Sequence, residues 1–101
     1  MEKMIEHIAE QNRFILVEDG ETAHVDYVIE NGQMDIRHTI VPEAIGGRGI
    51  ASRLVKAAYD YALEHGLTPV ATCAYAAVWL KRHPEYGGRI SPDCVDGACA
   101  L

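Results

Sequence analysis

The stretch IGGRGIASRLV, residues 45–55, sets three glycines and an arginine directly before a segment in which Ile50, Ala51, Leu54, Val55, Ala58, Tyr61 and Ala62 recur at helical spacing. Ser52, Arg53, Lys56, Asp60 and Glu64 fall on the other side, and Gly66 follows His65 as a C-terminal cap, since glycine enters the left-handed conformation without steric cost. A glycine loop opening a helix is a place for an anion. The amides of a first helical turn have no intrahelical partners, and the macrodipole puts partial positive charge there. Gly46, Gly47 and Gly49 let a phosphate approach the backbone where a Cβ would block it, and Arg48 can add a local charge.

Upstream of this stretch the pattern changes to a period of two. RFILVE (residues 13–18) and ETAHVDYVIE (residues 21–30) flank Asp19-Gly20, a strong hairpin signal, and the second run places Ala23, Val25, Tyr27 and Ile29 on one face. Asn31-Gly32 then turns the chain into QMDIRHTIV, whose alternation groups Met34, Ile36, His38 and Ile40. An antiparallel meander of three strands is expected, ended by Pro42. Residues 1–11 fit either a helix or an extended arm.

Downstream, LTPVATCA (residues 67–74) is short and apolar on both faces, as a buried strand parallel to the one before the helix would be. AYAAVWLKRH (residues 74–83) has the composition of a second, shorter helix, stopped by Pro84. Residues 87–101 read as a loosely held tail. The expected fold class is α+β: a mostly antiparallel sheet, one parallel βαβ crossover and a short C-terminal helix in a single domain.

Bulk properties narrow the function. The 101 residues carry a formal charge of -6, so the averaged field does not suit nucleic acid, and any anion site must be local. No stretch approaches the roughly 20 apolar residues of a membrane span and no signal sequence is apparent, so a cytoplasmic protein without membrane contact is expected. Cys73, Cys94 and Cys99 are read as free thiols. Cys94 and Cys99, near His83, offer too few ligands for zinc, and no metal is expected.

Two familiar nucleotide loops fail. No lysine follows the glycines as a Walker loop requires, and residues 47–52 supply only the first two glycines of a dinucleotide fingerprint, in a chain too short for a doubly wound sheet. The loop does resemble the cofactor motif [QR]-x-x-G-x-[GA] of the GNAT superfamily of acetyl-CoA-dependent N-acetyltransferases. It matches at Gly49 and Ala51 but has Gly46 where Gln or Arg is usual, which leaves pyrophosphate binding to backbone amides. Within that superfamily the chain resembles the small YJDJ-type members, through NRFIL (residues 12–16), DIRHTIVPEAIGGRGIASRLV (residues 35–55) and TCAYAAVWLKRHPEY (residues 72–86) in one order and spacing.

The resemblance implies a GNAT-like fold and acetyl-CoA as co-substrate. Its pantetheine arm would lie against main chain at Ile40 and Val41, where two strands splay, with pyrophosphate on the amides of residues 47–51 and Tyr75 alongside. Lys81 or Arg82 would reach the ribose phosphate. Two residues are candidates for catalysis. His38 is either a core histidine or a base, and Cys73 is either a cleft-lining side chain or an acetyl acceptor activated by a neighbour such as His38. Tyr75 could protonate the leaving thiolate or simply pack. The expected activity is acetyl transfer to a small amine or a protein amine. The alternative is a CoA- or acyl-CoA-binding module without turnover. The acceptor and the oligomeric state are not legible.

Overall fold

Residues 5–91 are described, in a computed structural model, as one six-stranded sheet with two helices. The strands are β1 (Ile5–Ile8), β2 (Arg13–Glu18), β3 (Glu21–Glu30), β4 (Gln33–Ile40), β5 (Thr68–Ala71) and β6 (Arg89–Ile90), in sheet order β1-β2-β3-β4-β5-β6. The first four pair antiparallel, and β4-β5 and β5-β6 pair parallel. This is the expected α+β class, with two parallel pairs where the sequence suggested one.

Local chemistry accounts for the hairpins. Asp19 and Gly20 take φ of 52° and 76°, and Asn31 and Gly32 take 53° and 74°, the left-handed pairs whose twist matches that of the flanking strands. The open question at the N-terminus resolves to an extended segment, because β1 pairs with β2 over its whole length. Of the supposed tail, residues 89 and 90 are already strand, and the Ser91 amide donates to the Ala71 carbonyl at 2.9 Å. The expectation of a loose segment from residue 87 is therefore corrected at its start. Cys94 and Cys99 lie outside the described residues.

Helix α1 (Ile50–Glu64) ends in a Schellman motif. Gly66 has φ 69°, the Leu67 amide donates to the Ala62 carbonyl at 2.8 Å, and the Gly66 amide donates to the Leu63 carbonyl at 3.3 Å. Its buried arc runs through Ile50, Leu54, Val55, Ala58, Tyr59 and Ala62. Tyr59 is fully buried, whereas the expected Tyr61 is only half-buried. The arc is wide because helix α2 (Ala74–Arg82) packs on its flank: the Tyr59 and Trp79 rings lie 5.8 Å apart, and Trp79 Nε1 donates to Ser52 Oγ at 3.1 Å.

Both helices thus cover one face of the sheet, over Phe14, Leu16, Ala23, Val25, Tyr27, Met34 and Ile36. The other face carries Ile15, Val17, His24, Asp26, Val28 and Asp35, and no helix among the described residues covers it.

Candidate functional site

The site begins where β4 and β5 part. They are in register only from Gln33/Thr68 to Ile36/Ala71. Beyond that point the Thr72 and Cys73 amides both donate to the Ile36 carbonyl, each at 3.0 Å, and the chain turns away into α2 while β4 runs on to Ile40. Two parallel strands that share a single acceptor at their last contact must diverge. Thr72 Oγ1 donates to the Asp35 carboxylate at 2.8 and 2.9 Å and fastens the apex of the wedge.

A β-bulge then decides which side chains face the wedge. Tyr27 pairs with Ile36 and Asp26 with His38, so Arg37 is an extra residue and the alternation of β4 flips beyond it. Cross-strand partners share a face, so His38 sides with Asp26 on the uncovered face and is exposed. Thr39, paired with Val25, turns into the core and is 4% exposed. The expected grouping of Met34, Ile36, His38 and Ile40 is corrected here. The first two are buried, while His38 and Ile40 lie on the opposite side.

A cleft of about 640 Å³ opens from this wedge, lined by the end of β4 (Thr39, Ile40), Val41, Glu43, Gly46, Gly47, Gly49, the first turn of α1 (Ile50, Ala51) and Tyr75. Thr39 and Ile40 point to opposite faces of the sheet and both line the cleft, so it passes through the plane of the sheet at the free edge of β4. Eight expected cofactor residues therefore share one cavity: Ile40, Val41, Gly46, Gly47, Gly49, Ile50, Ala51 and Tyr75. Thr39 and Glu43 join them unforeseen.

The glycine loop suits an anion by geometry. Gly47 and Gly49 have φ of 78° and 76°, and a Cβ added at either would meet nothing within 4 Å, so the space before the helix is open. No side chain caps α1 at Gly49. Its first-turn amides are thereby left to a ligand, in a field favourable to negative charge.

Arg48 does not line the cleft. One guanidinium nitrogen lies 2.5 Å from a Glu18 carboxylate oxygen and 2.7 Å from one of Asp19, and these bonds, to Asp19 foremost, raise its pKa above the usual arginine value. Arg82 stands apart from the main cleft as well, in a smaller depression of about 160 Å³ with Ser52, Tyr75, Val78, Trp79 and His83. Tyr75 borders both cavities. Lys81 borders neither.

Cys73 precedes α2, is fully buried, and directs its thiol to Thr39 Oγ1 at 3.5 Å. The two candidate catalytic residues are therefore not brought together. Cys73 meets Thr39 on the covered side, and His38 stands on the other. Among the described residues no three His, Cys, Asp or Glu side chains gather as a metal site, and no helix is long and apolar enough to cross a membrane.

This arrangement has relatives. Residues 13–89 match the sequence profile of the family described as GCN5-related N-acetyl-transferase. The chain is 43% identical over 61 residues to Protein NATD1 of Homo sapiens, covering 58% of this chain and 54% of that protein. It is 46% identical over 59 residues to Protein NATD1 of Danio rerio, covering 56% and 54%. The aligned part spans about half the length of these curated relatives. The NMR solution structure of a GCN5-like protein from Staphylococcus aureus superposes with a TM-score of 0.66 at 27% identity, covering 87% of each chain. The wedge between β4 and β5, the glycine loop before α1 and the family match over residues 13–89 agree: the chain belongs to the GCN5-related N-acetyltransferase family.

Proposed function

We propose that this protein transfers an acetyl group from acetyl-CoA to an amine. The observation that carries this reading is the cleft in which the uncapped start of α1 faces the unpaired end of β4. The fit is chemical as well as spatial. A pyrophosphate would lie on the first-turn amides of residues 49–51 and a pantetheine arm along the main chain at Ile40 and Val41. The depression beside Arg82 would take the nucleotide end.

Acetyl-CoA supplies an activated carbonyl and a thiolate leaving group. The chain supplies position and proton management. Both helices close one mouth of the wedge, so the amine arrives from the uncovered face, where His38 stands. An imidazole there keeps the attacking amine neutral. Cys73 is shut off from that face and lacks a basic partner among its hydrogen bonds, which favours direct attack by the amine over an acetyl-cysteine.

Release of free thiol from acetyl-CoA, measured against a panel of small amines, polyamines and lysine peptides, tests the reading. Amine-dependent release supports it. Saturable CoA binding with no release from any acceptor favours a CoA-binding module instead.

A further inference from the structure

The departing sulfur must acquire a proton, and Thr39 and Tyr75 are the hydroxyl-bearing side chains that line the cleft. Thr39 is a buried polar side chain, and the bulge at Arg37 is what turns it inward. It lines the cleft, whereas Cys73, fully buried behind it, does not. A threonine hydroxyl has one hydrogen to give and two lone pairs to receive. Here one lone pair receives the Cys73 thiol, so the hydroxyl hydrogen is available on the cleft side.

We propose that Thr39 is a catalytic residue that relays the thiol proton of Cys73 to the sulfur leaving acetyl-CoA. This rests on the acetyl-transfer reading. A threonine hydroxyl alone is far too weak an acid to protonate a thiolate at neutral pH. As a relay it need not be one, because the donor behind it and the acceptor before it are both thiols, and the proton passes between groups of one kind.

The balance is as follows. The amine nitrogen forms a bond to the carbonyl carbon, the C–S bond breaks, and its electron pair stays on sulfur. That sulfur takes the Thr39 hydroxyl proton while Thr39 Oγ1 takes the proton from Cys73. The nitrogen loses one proton to the open face. Cys73 regains one through Thr39 from water once the thiol product has left. Cys73 thus serves as a proton reservoir and forms no bond to the acetyl group, which gives a reason for a thiol to be buried directly behind the cleft.

The test uses Thr39→Val, Thr39→Ser and Cys73→Ala, each measured for CoA affinity and for turnover with the best amine of the panel. Valine has nearly the shape of threonine but no hydroxyl. The relay predicts that Thr39→Val loses about 100-fold or more in kcat with CoA affinity within about two-fold, and that Thr39→Ser restores most of the rate. It also predicts a solvent deuterium effect on kcat that bows with deuterium fraction in the parent, as two protons in flight require, and becomes straight in Cys73→Ala. An equally active Thr39→Val overturns the relay alone, as does an acetyl adduct on Cys73 that carries turnover. Should Thr39→Val fail to fold, a Thr39→Ser variant as slow as Cys73→Ala overturns it. A parent that binds CoA but releases no thiol overturns the acetyl-transfer reading and the relay together.

Discussion

Arg48 of the glycine loop is held by Glu18, the last residue of β2, at 2.5 Å, and the loop is thereby tied to the first hairpin. Arg48 acts as a strut, since its guanidinium is engaged by acids outside the cleft. The two possible roles of this arginine predict opposite signs. As a strut, it loses its anchor in Glu18→Gln, and the KM for acetyl-CoA rises by roughly two- to five-fold, the range typical of exposed pairs. As a direct phosphate ligand it would instead be released, and the KM would fall. Steady-state kinetics of Glu18→Gln and Asp19→Asn decide between them.

Gly49 is required for its backbone angle and not for clearance. An alanine there would touch nothing within 4 Å but would hold φ near 76° at a cost of about 1 kcal/mol. Gly49→Ala is therefore expected to lower Tm only slightly while weakening CoA binding several-fold, because the strain is relieved by moving the amides proposed to hold the phosphates. Thermal melting and CoA titration of the variant measure the two effects separately.

His7 links stability to pH at the far edge of the sheet. Its ring stacks on Phe14 with centroids 4.0 Å apart, its Nε2 meets the Tyr27 hydroxyl at 2.5 Å, and Tyr61 packs edge-on at 4.5 Å, with the His65 ring tilted against Tyr61 at 4.0 Å. Burial first, and then the charge of His65, lower the His7 pKa below 6.5. The folded state therefore binds fewer protons than the unfolded chain over that window. The contribution of His7 is present above pH 6.5 and is lost as pH falls from there towards its lowered value. Tm should fall between pH 7.5 and 5, and by less in His7→Gln; equal slopes in the two proteins would contradict this.

The buried phenol of Tyr59 donates to the Val70 carbonyl at 2.6 Å, joining α1 to β5 behind the wedge. Tyr59→Phe keeps the ring and removes that bond, with an expected loss of about 1 kcal/mol in chemical denaturation. Since Val70 lies three residues before Cys73, turnover should fall further than stability alone accounts for if the wedge is held open by this contact.

Much of the frame was legible in the sequence because it depends on local chemistry. Asp19-Gly20 and Asn31-Gly32 dictate their turns through backbone preference, and Gly66 caps α1 for the same reason. The glycine loop before α1 was equally readable as a backbone feature, since Gly47 and Gly49 take the left-handed angles that glycine favours. The faces of β4 past residue 36 were not. A bulge is a property of two strands in register, and one strand's alternation cannot reveal it. The polar doublet Arg37-His38 is the available trace, and a period of two carried through it does not register the bulge. Carried past the bulge, that period hides the inward turn of Thr39 and puts His38 on the covered face, opposite to where it stands. Tyr59 was missed because its burial depends on α2, an element that α1's own spacing does not describe. The pairing of β6 with β5 likewise rests on a long-range contact that residues 89 and 90 do not announce by pattern.

The proposed function requires CoA to lie in the cleft between the end of β4 and the start of α1, its phosphates on backbone amides. The most direct test is titration of uniformly 15N-labelled protein with CoA, followed residue by residue in amide spectra. CoA seated there gives saturable shifts concentrated at residues 46–52 and 39–41, with the sheet at β1 and β2 unmoved. Shifts absent from the glycine loop, or absent altogether at saturating CoA, would contradict it.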